Sequence, residues 1–197
     1  MAVTEITLYF DYKSPYSYLA KDPAFELEEE LGLSIVWRPY NLDIDSYRGS
    51  VDERPERAWR KVRYMYMDAR RWANRRGGLI IRGPEKVYDS TVAHCGMLHS
   101  QSHGGFRPYH DLVYERFFKR ELDLEDAGAI TALLEEAGSD TAGFAEYLQG
   151  EGPAEQARIV AEAEEQGVFG VPTFVVEGEL FWGHDRIELL RERLTAG

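Results

Sequence analysis

Residues 6–10 (ITLYF) form a short run of β-branched and aromatic side chains, the pattern of a buried strand. A polar stretch, residues 11–14, follows. Apolar positions then recur at 18, 19, 25, 27 and 31, a spacing that predicts a helix starting near Ser14 and ending at Gly32. Ser14 stands where an N-cap belongs, and Pro15 takes the first helical position, where its missing N–H costs nothing. Residues 33–40 (LSIVWRPY) alternate like a second strand, with Pro39 near the end. Strand, helix and strand in that order predict a parallel pair.

From about residue 54 to 149 the texture is helical. Residues 56–76 set Trp59, Val62, Met65, Tyr66, Ala69 and Trp72 at helical spacing among charges. Residues 89–102, 108–118, 125–137 and 142–148 continue in that manner, separated by Gly77-Gly78, Gly104-Gly105 and Gly138. Four or five helices are expected. Mixed structure returns at the end: an amphipathic helix over 153–166, a turn at Gly170-Val171-Pro172, and a strand over 173–177. A hairpin turn at Glu177-Gly178-Glu179, a strand over 180–182 and a helix over 185–194 complete the chain. This order is that of an α/β, thioredoxin-like fold with an all-helical insertion. Residues 1–53 and 150–197 are expected to form the thioredoxin-like domain, and residues 54–149 the helical insertion domain.

Composition narrows the function. The 197 residues are 44% hydrophobic, enough for a sizeable core. A net charge of −12 repels phosphate backbones and anionic lipid heads, so no nucleic acid and no membrane are expected as partners. No leader-like N-terminus and no run of about 18 apolar residues is present, which points to a cytoplasmic protein. The single cysteine, Cys95, leaves no intrachain disulfide and no thiolate zinc cluster, and it reads as a small core residue.

In a thioredoxin-like fold the chemistry sits where the first strand meets the first helix, because backbone N–H groups and the helix dipole converge there on an anion. Redox members carry Cys-X-X-Cys at that point. Here the four positions read Ser14-Pro15-Tyr16-Ser17. A serine hydroxyl forms no disulfide, but it can donate a hydrogen bond to a thiolate brought by a ligand. Alone, Ser14 is more simply a helix cap. Val171-Pro172 changes the balance, since Pro172 falls where such folds carry a cis-proline and the Val171 backbone can pair with an extended ligand. Asp185, at the start of the last helix, can serve the helix dipole or reach an ammonium group.

Three stretches carry a resemblance: YFDYKSPYSYLA (9–20), DARRWANRRG (68–77) and VFGVPTFVVEGELFWGHDRIELL (168–190). On these the chain resembles the DsbA-like thioredoxin superfamily, in its branch of 2-hydroxychromene-2-carboxylate isomerases and kappa-class glutathione transferases. The resemblance implies glutathione as cofactor. Ser14 would hydrogen-bond its sulfur, Val171 and Pro172 would meet its cysteinyl backbone, and Asp185, with His184 beside it, would hold the γ-glutamyl end. It also implies an asparagine and a lysine on glutathione from the loop after the second strand. Neither is evident in residues 41–54, and Lys61 or Arg57 is the expected substitute. The implied partner is a small aromatic carboxylate or other electrophilic substrate, and the implied assembly a homodimer. A thiol-dependent isomerase leads. A kappa-like transferase or peroxidase and a non-catalytic DsbA-like binding protein are the alternatives.

Other residues read less sharply. His94 and Cys95 point about 100° apart on a helix and make a poor metal pair. His99, His103 and His110 are expected at the surface. Of Trp59, Tyr64, Tyr66 and Trp72, one or two are expected to face an aromatic substrate. Arg70, Arg71, Arg75 and Arg76 read as a solvated face or as attractors of a carboxylate.

Overall fold

The computed structural model describes residues 5–44 and 55–196. Residues 45–54, on which part of the expected glutathione contact and the domain boundary fell, lie outside the described residues. Strand β1 (Glu5–Phe10) leads into helix α1 (Pro15–Leu31) and strand β2 (Ser34–Pro39). Among the described residues five helices follow: α2 (Glu56–Arg75), α3 (Thr91–His103), α4 (Phe106–Lys119), α5 (Ala127–Glu136) and α6 (Phe144–Gln149). Helix α7 (Glu151–Glu165), strands β3 (Thr173–Val176) and β4 (Glu179–Trp182), a 3₁₀ turn (His184–Arg186) and helix α8 (Ile187–Thr195) close the chain.

The sheet runs β2-β1-β3-β4. β1 and β2 are parallel, with Phe10 opposite Pro39, while β3 lies antiparallel to β1 and to β4. This is the expected thioredoxin-like order. Leu8, Tyr9 and Phe10 on β1 are buried, which explains why that strand is an unbroken apolar run instead of an alternating one. Gly32 ends α1 in the left-handed conformation (φ 63°), as a C-cap glycine does. Gly105 (φ 75°) opens α4 where a Cβ would lie 2.6 Å from the Ala137 carbonyl, so only glycine lets the two segments meet there.

One continuous core joins the sheet to the insertion helices. Its centre is aromatic: Phe10 meets Tyr12 edge-on at 5.1 Å and His110 at 4.7 Å, and Trp37 meets His110 at 4.7 Å. Tyr12 and His110 share a hydrogen bond of 3.0 Å. These rings lock the end of β1 to α4, and truncating one of them costs about 3–5 kcal/mol. The corner where β1 ends is therefore held rigidly from below. Among the described residues no helix is long and apolar enough to cross a membrane, and no cluster of three metal-ligating side chains occurs.

Candidate active site

The turn from β1 into α1 is built by side chains bonding their own backbone. Ser14 N–H donates to the Asp11 carbonyl (3.0 Å), and the Lys13 N–H donates to Asp11 Oδ1 (3.1 Å). Ser14 is the N-cap, in extended conformation (φ −87°, ψ 115°), and its Oγ accepts from the Ser17 N–H at 3.2 Å. Pro15 stands at the first helical position. The cap reading of Ser14 thus describes its backbone role. Its hydroxyl proton does something else: it points at the Val171 carbonyl across a long 3.5 Å contact, loose enough to be exchanged for a better acceptor. Ser17 is buried and serves the turn.

Val171 approaches from the other end of the sequence. The Val171–Pro172 peptide bond is cis. The Pro172 carbonyl accepts from Gly183 N–H at 2.9 Å, and Thr173 Oγ1 donates to the Gly170 carbonyl at 2.7 Å, fixing this segment against β4. Gly170 passes so close to Trp182 that a Cβ there would lie 3.0 Å from the indole nitrogen.

Ser14 and Val171 open onto a cavity of about 470 Å³. Among the described residues its walls are mainly apolar and come from six stretches of chain: residues 13–16, Leu42 to Ile44, helix α2, residues 83–88, Phe169 to Val171, and Trp182. Trp59, Tyr64 and Tyr66 line it, so three of the four aromatics singled out in α2 face the site. Trp72 turns instead onto the His184 ring (4.9 Å). Phe169 and Trp182 meet edge-on at 4.9 Å at the opposite wall.

The remaining expected residues fall as follows. His184 is buried, stacks on Tyr16 with ring centroids 5.0 Å apart, and leaves Nδ1 without a partner among the described residues. Burial, and then Arg76, push its pKa down to about 4, so it is neutral at physiological pH. It supports the Tyr16 ring; the Tyr16 hydroxyl donates to Asp68 at 3.0 Å. Asp185 is half-exposed and pairs with Arg186 at 3.0 Å. Lys61 is exposed on α2 and is not among the residues lining the cavity, nor is Arg57. Of the arginines, Arg70 donates to the Ile81 carbonyl, Arg75 lies over the Trp72 ring and Arg76 donates to the Leu19 carbonyl; none lines the cavity.

Two histidines correct the surface expectation. His110 is wholly buried among rings and His99 is buried with Nε2 at 2.7 Å from the Asp140 carbonyl; His103 is exposed. Cys95 is buried, and burial pushes its thiol up to about 12, which makes it inert as a nucleophile.

Two polar residues of the site escaped sequence reasoning. Lys13 lines the cavity directly before Ser14, and its ammonium donates to Asn41 Oδ1. No local pattern marks them: it is the parallel register, with Phe10 opposite Pro39, that brings the residues just beyond each strand side by side.

The family of DSBA-like thioredoxin domains matches residues 5–195. A 2-hydroxychromene-2-carboxylate isomerase of Sphingobium xenophagum is 27% identical over 193 residues, covering 96% of this chain and 97% of its own. One of Pseudomonas putida is 28% identical over 193 residues, covering 96% and 93%. A solved 2-hydroxychromene-2-carboxylate isomerase superposes with a TM-score of 0.80 at 25% identity, covering 98% of this chain and 95% of that one. With the match running through both the Ser14 corner and the cis-Pro172 turn, the chain belongs to the DsbA-like thioredoxin-domain family.

Proposed function

We propose that this protein is a glutathione-dependent isomerase of the 2-hydroxychromene-2-carboxylate type, acting on a small aromatic carboxylate. The observation that carries the reading is the Ser14 hydroxyl. It stands at the head of α1, opens on an aromatic-walled cavity, and holds its proton only loosely on the Val171 carbonyl. That donor set fits a thiol. Ser14 Oγ offers a hydrogen bond, the first turn of α1 offers the positive end of a helix dipole, and together they favour sulfur as thiolate. The Val171 backbone lies alongside to align an extended ligand, and Asp185 is a half-exposed carboxylate for an ammonium group. Pro172 sets the direction of Val171, while His184 holds Tyr16 against the corner. Lys61 is exposed on α2 and left for a ligand's outer end.

When bound, the thiol supplies a sulfur that is both a good nucleophile and a good leaving group, which suits reversible addition to a conjugated system. Trp59, Tyr64 and Tyr66 provide flat surfaces on which a planar substrate stacks. Sequence relatives that match this chain over nearly their whole length carry the isomerase name.

The test is isomerisation of 2-hydroxychromene-2-carboxylate followed by absorbance, with and without glutathione. The reaction is expected to require the thiol, and Ser14→Ala is expected to lower kcat/KM by about 10²–10³-fold, as loss of one oxyanion-type donor does. Conjugation of chlorodinitrobenzene without isomerisation would point to a transferase. Absence of any thermal stabilisation by glutathione would remove the cofactor from the reading.

A further inference from the structure

Lys13 is buried, with 9% of its surface exposed, yet it lines the cavity. Its ammonium is gripped from behind. Asn41 Oδ1 accepts one of its hydrogen bonds, and Asp11 Oδ2 lies 3.4 Å away. Both acceptors are themselves fixed. Asn41 Nδ2 donates to Asp89 Oδ1 (2.8 Å) and Thr91 Oγ1 (3.2 Å). Asp11 accepts from the Leu42 N–H (2.8 Å) and from Ser90 Oγ (2.6 Å). An ammonium has three protons, and among the described residues Asn41 and Asp11 are the two acceptors beside it, which leaves a third proton for a ligand.

The surroundings point to an anion. Leu42, Val62 and Met65 are among the mainly apolar described residues that line the same cavity, with Asp43 and Glu85 as its acidic ones, and a cation fixed in a largely apolar cavity binds a carboxylate better than one in water does. Lys86 also lines the cavity, but it is paired with Glu125 (2.8 Å) and Asp123 (3.4 Å) and is about half-exposed. Ser14 leans toward Val171, whereas Lys13 is tied through Asn41 to the head of α3, beside the 83–88 wall.

We propose that Lys13 is the carboxylate-recognition residue of this cavity, with Asn41 and Asp11 as the residues that position its ammonium. The identity of the carboxylate as substrate rests on the isomerase reading; the preference for an aromatic carboxylate does not.

The experiment compares 2-hydroxybenzoate with uncharged 2-hydroxybenzamide, titrated against tryptophan fluorescence, since Trp59 and Trp182 line the cavity. Wild type is expected to prefer the carboxylate by about tenfold or more. Lys13→Gln should abolish that preference while keeping amide affinity, Lys13→Arg should restore part of it, and Asn41→Ala should narrow it. The preference is a ratio taken on one sample, so a reduced folded fraction cancels. Survival of the preference in Lys13→Gln, or equal loss for both ligands, would overturn the assignment. So would a Lys13→Gln variant that keeps the preference but lowers the thiolate absorbance of bound glutathione, because Lys13 would then serve the sulfur. Carboxylate preference without isomerase activity would refute the isomerase reading alone. Isomerase activity without carboxylate preference would refute the Lys13 assignment alone.

Discussion

Asp11 carries a carboxylate with none of its surface exposed, 3.4 Å from the ammonium of the cavity-lining Lys13. Burial is the largest influence on it and by itself would raise its pKa. Lys13, then His94 at 3.5 Å, then the Ser90 hydroxyl overcome that penalty and hold the carboxyl well below the usual carboxylate range. A folded-state pKa below the unfolded value of about 3.9 means that the stabilisation is complete at neutral pH and is lost only as pH falls below about 4. Asp11→Asn leaves the Lys13 ammonium buried without its counter-charge, so we expect a loss of about 3–5 kcal/mol in urea unfolding at pH 7. A loss below about 1 kcal/mol would mean that Lys13 turns out to solvent when Asp11 is gone. Ser14 and Val171 were legible in the sequence because each belongs to a local pattern, a capped helix start and a Gly-Val-Pro turn. Lys13 and Asn41 were not. Their meaning lies in a pairing between strand ends 28 residues apart, which no local pattern records.

Helix α1 runs through Pro23, a residue that removes an N–H from the helix interior and leaves the carbonyl four positions earlier without its donor. That carbonyl belongs to Leu19, and Arg76, at the end of α2, donates to it. The guanidinium thus replaces the missing helical hydrogen bond and ties α2, which supplies a wall of the cavity, to α1, which supplies Ser14. Arg76→Met is expected to cost about 1–3 kcal/mol by leaving a partly buried carbonyl unpaired. Pro23→Ala returns an N–H to that carbonyl, so in its background the same Arg76→Met change is expected to cost about 1 kcal/mol less. A double-mutant cycle in urea reads this coupling directly, and additive costs would show that Arg76 acts through other contacts. At this scale the sequence was most informative. Apolar spacing placed every described helix and strand to within a few residues, because each amphipathic face is written in consecutive positions. The final helix is the exception: residues 184–186 form a 3₁₀ turn before α8, where Gly183 (φ 120°) redirects the chain and His184 turns inward onto Tyr16.

The whole molecule buries imidazoles in places that no single element predicts. The cavity draws its described walls from six separated stretches, and the core is shared between sheet and insertion helices, so which face of α3 or α4 becomes interior depends on both halves at once. His94 and His110 are interior for that reason, and His184 for the turn before α8. Each has a lowered pKa. Burial is the main cause in all three, opposed at His94 by Asp11 and reinforced at His110 by Lys21 and at His184 by Arg76. A neutral imidazole in the native state faces an unfolded chain in which histidine titrates near about 6.5. The unfolded chain therefore takes up protons that the native state refuses, and stability is full above about pH 6.5 and falls as pH drops toward 4, before Asp11 begins to titrate. Three such sites set an upper limit on the slope of about 4 kcal/mol per pH unit. Urea melts at pH 7, 6 and 5 should show the midpoint falling steadily across this range. His184→Phe keeps a ring against Tyr16 and Trp72 but binds no proton, so it should remove about one proton from the slope while His94 and His110 keep the rest. If stability is flat from pH 7 to 5 in the wild type, the buried rings take up protons as readily as the unfolded chain does, and burial has not lowered their pKa. If His184→Phe leaves the slope unchanged, its ring does not contribute, and the support it gives to Tyr16 at the head of α1 rests on stacking alone.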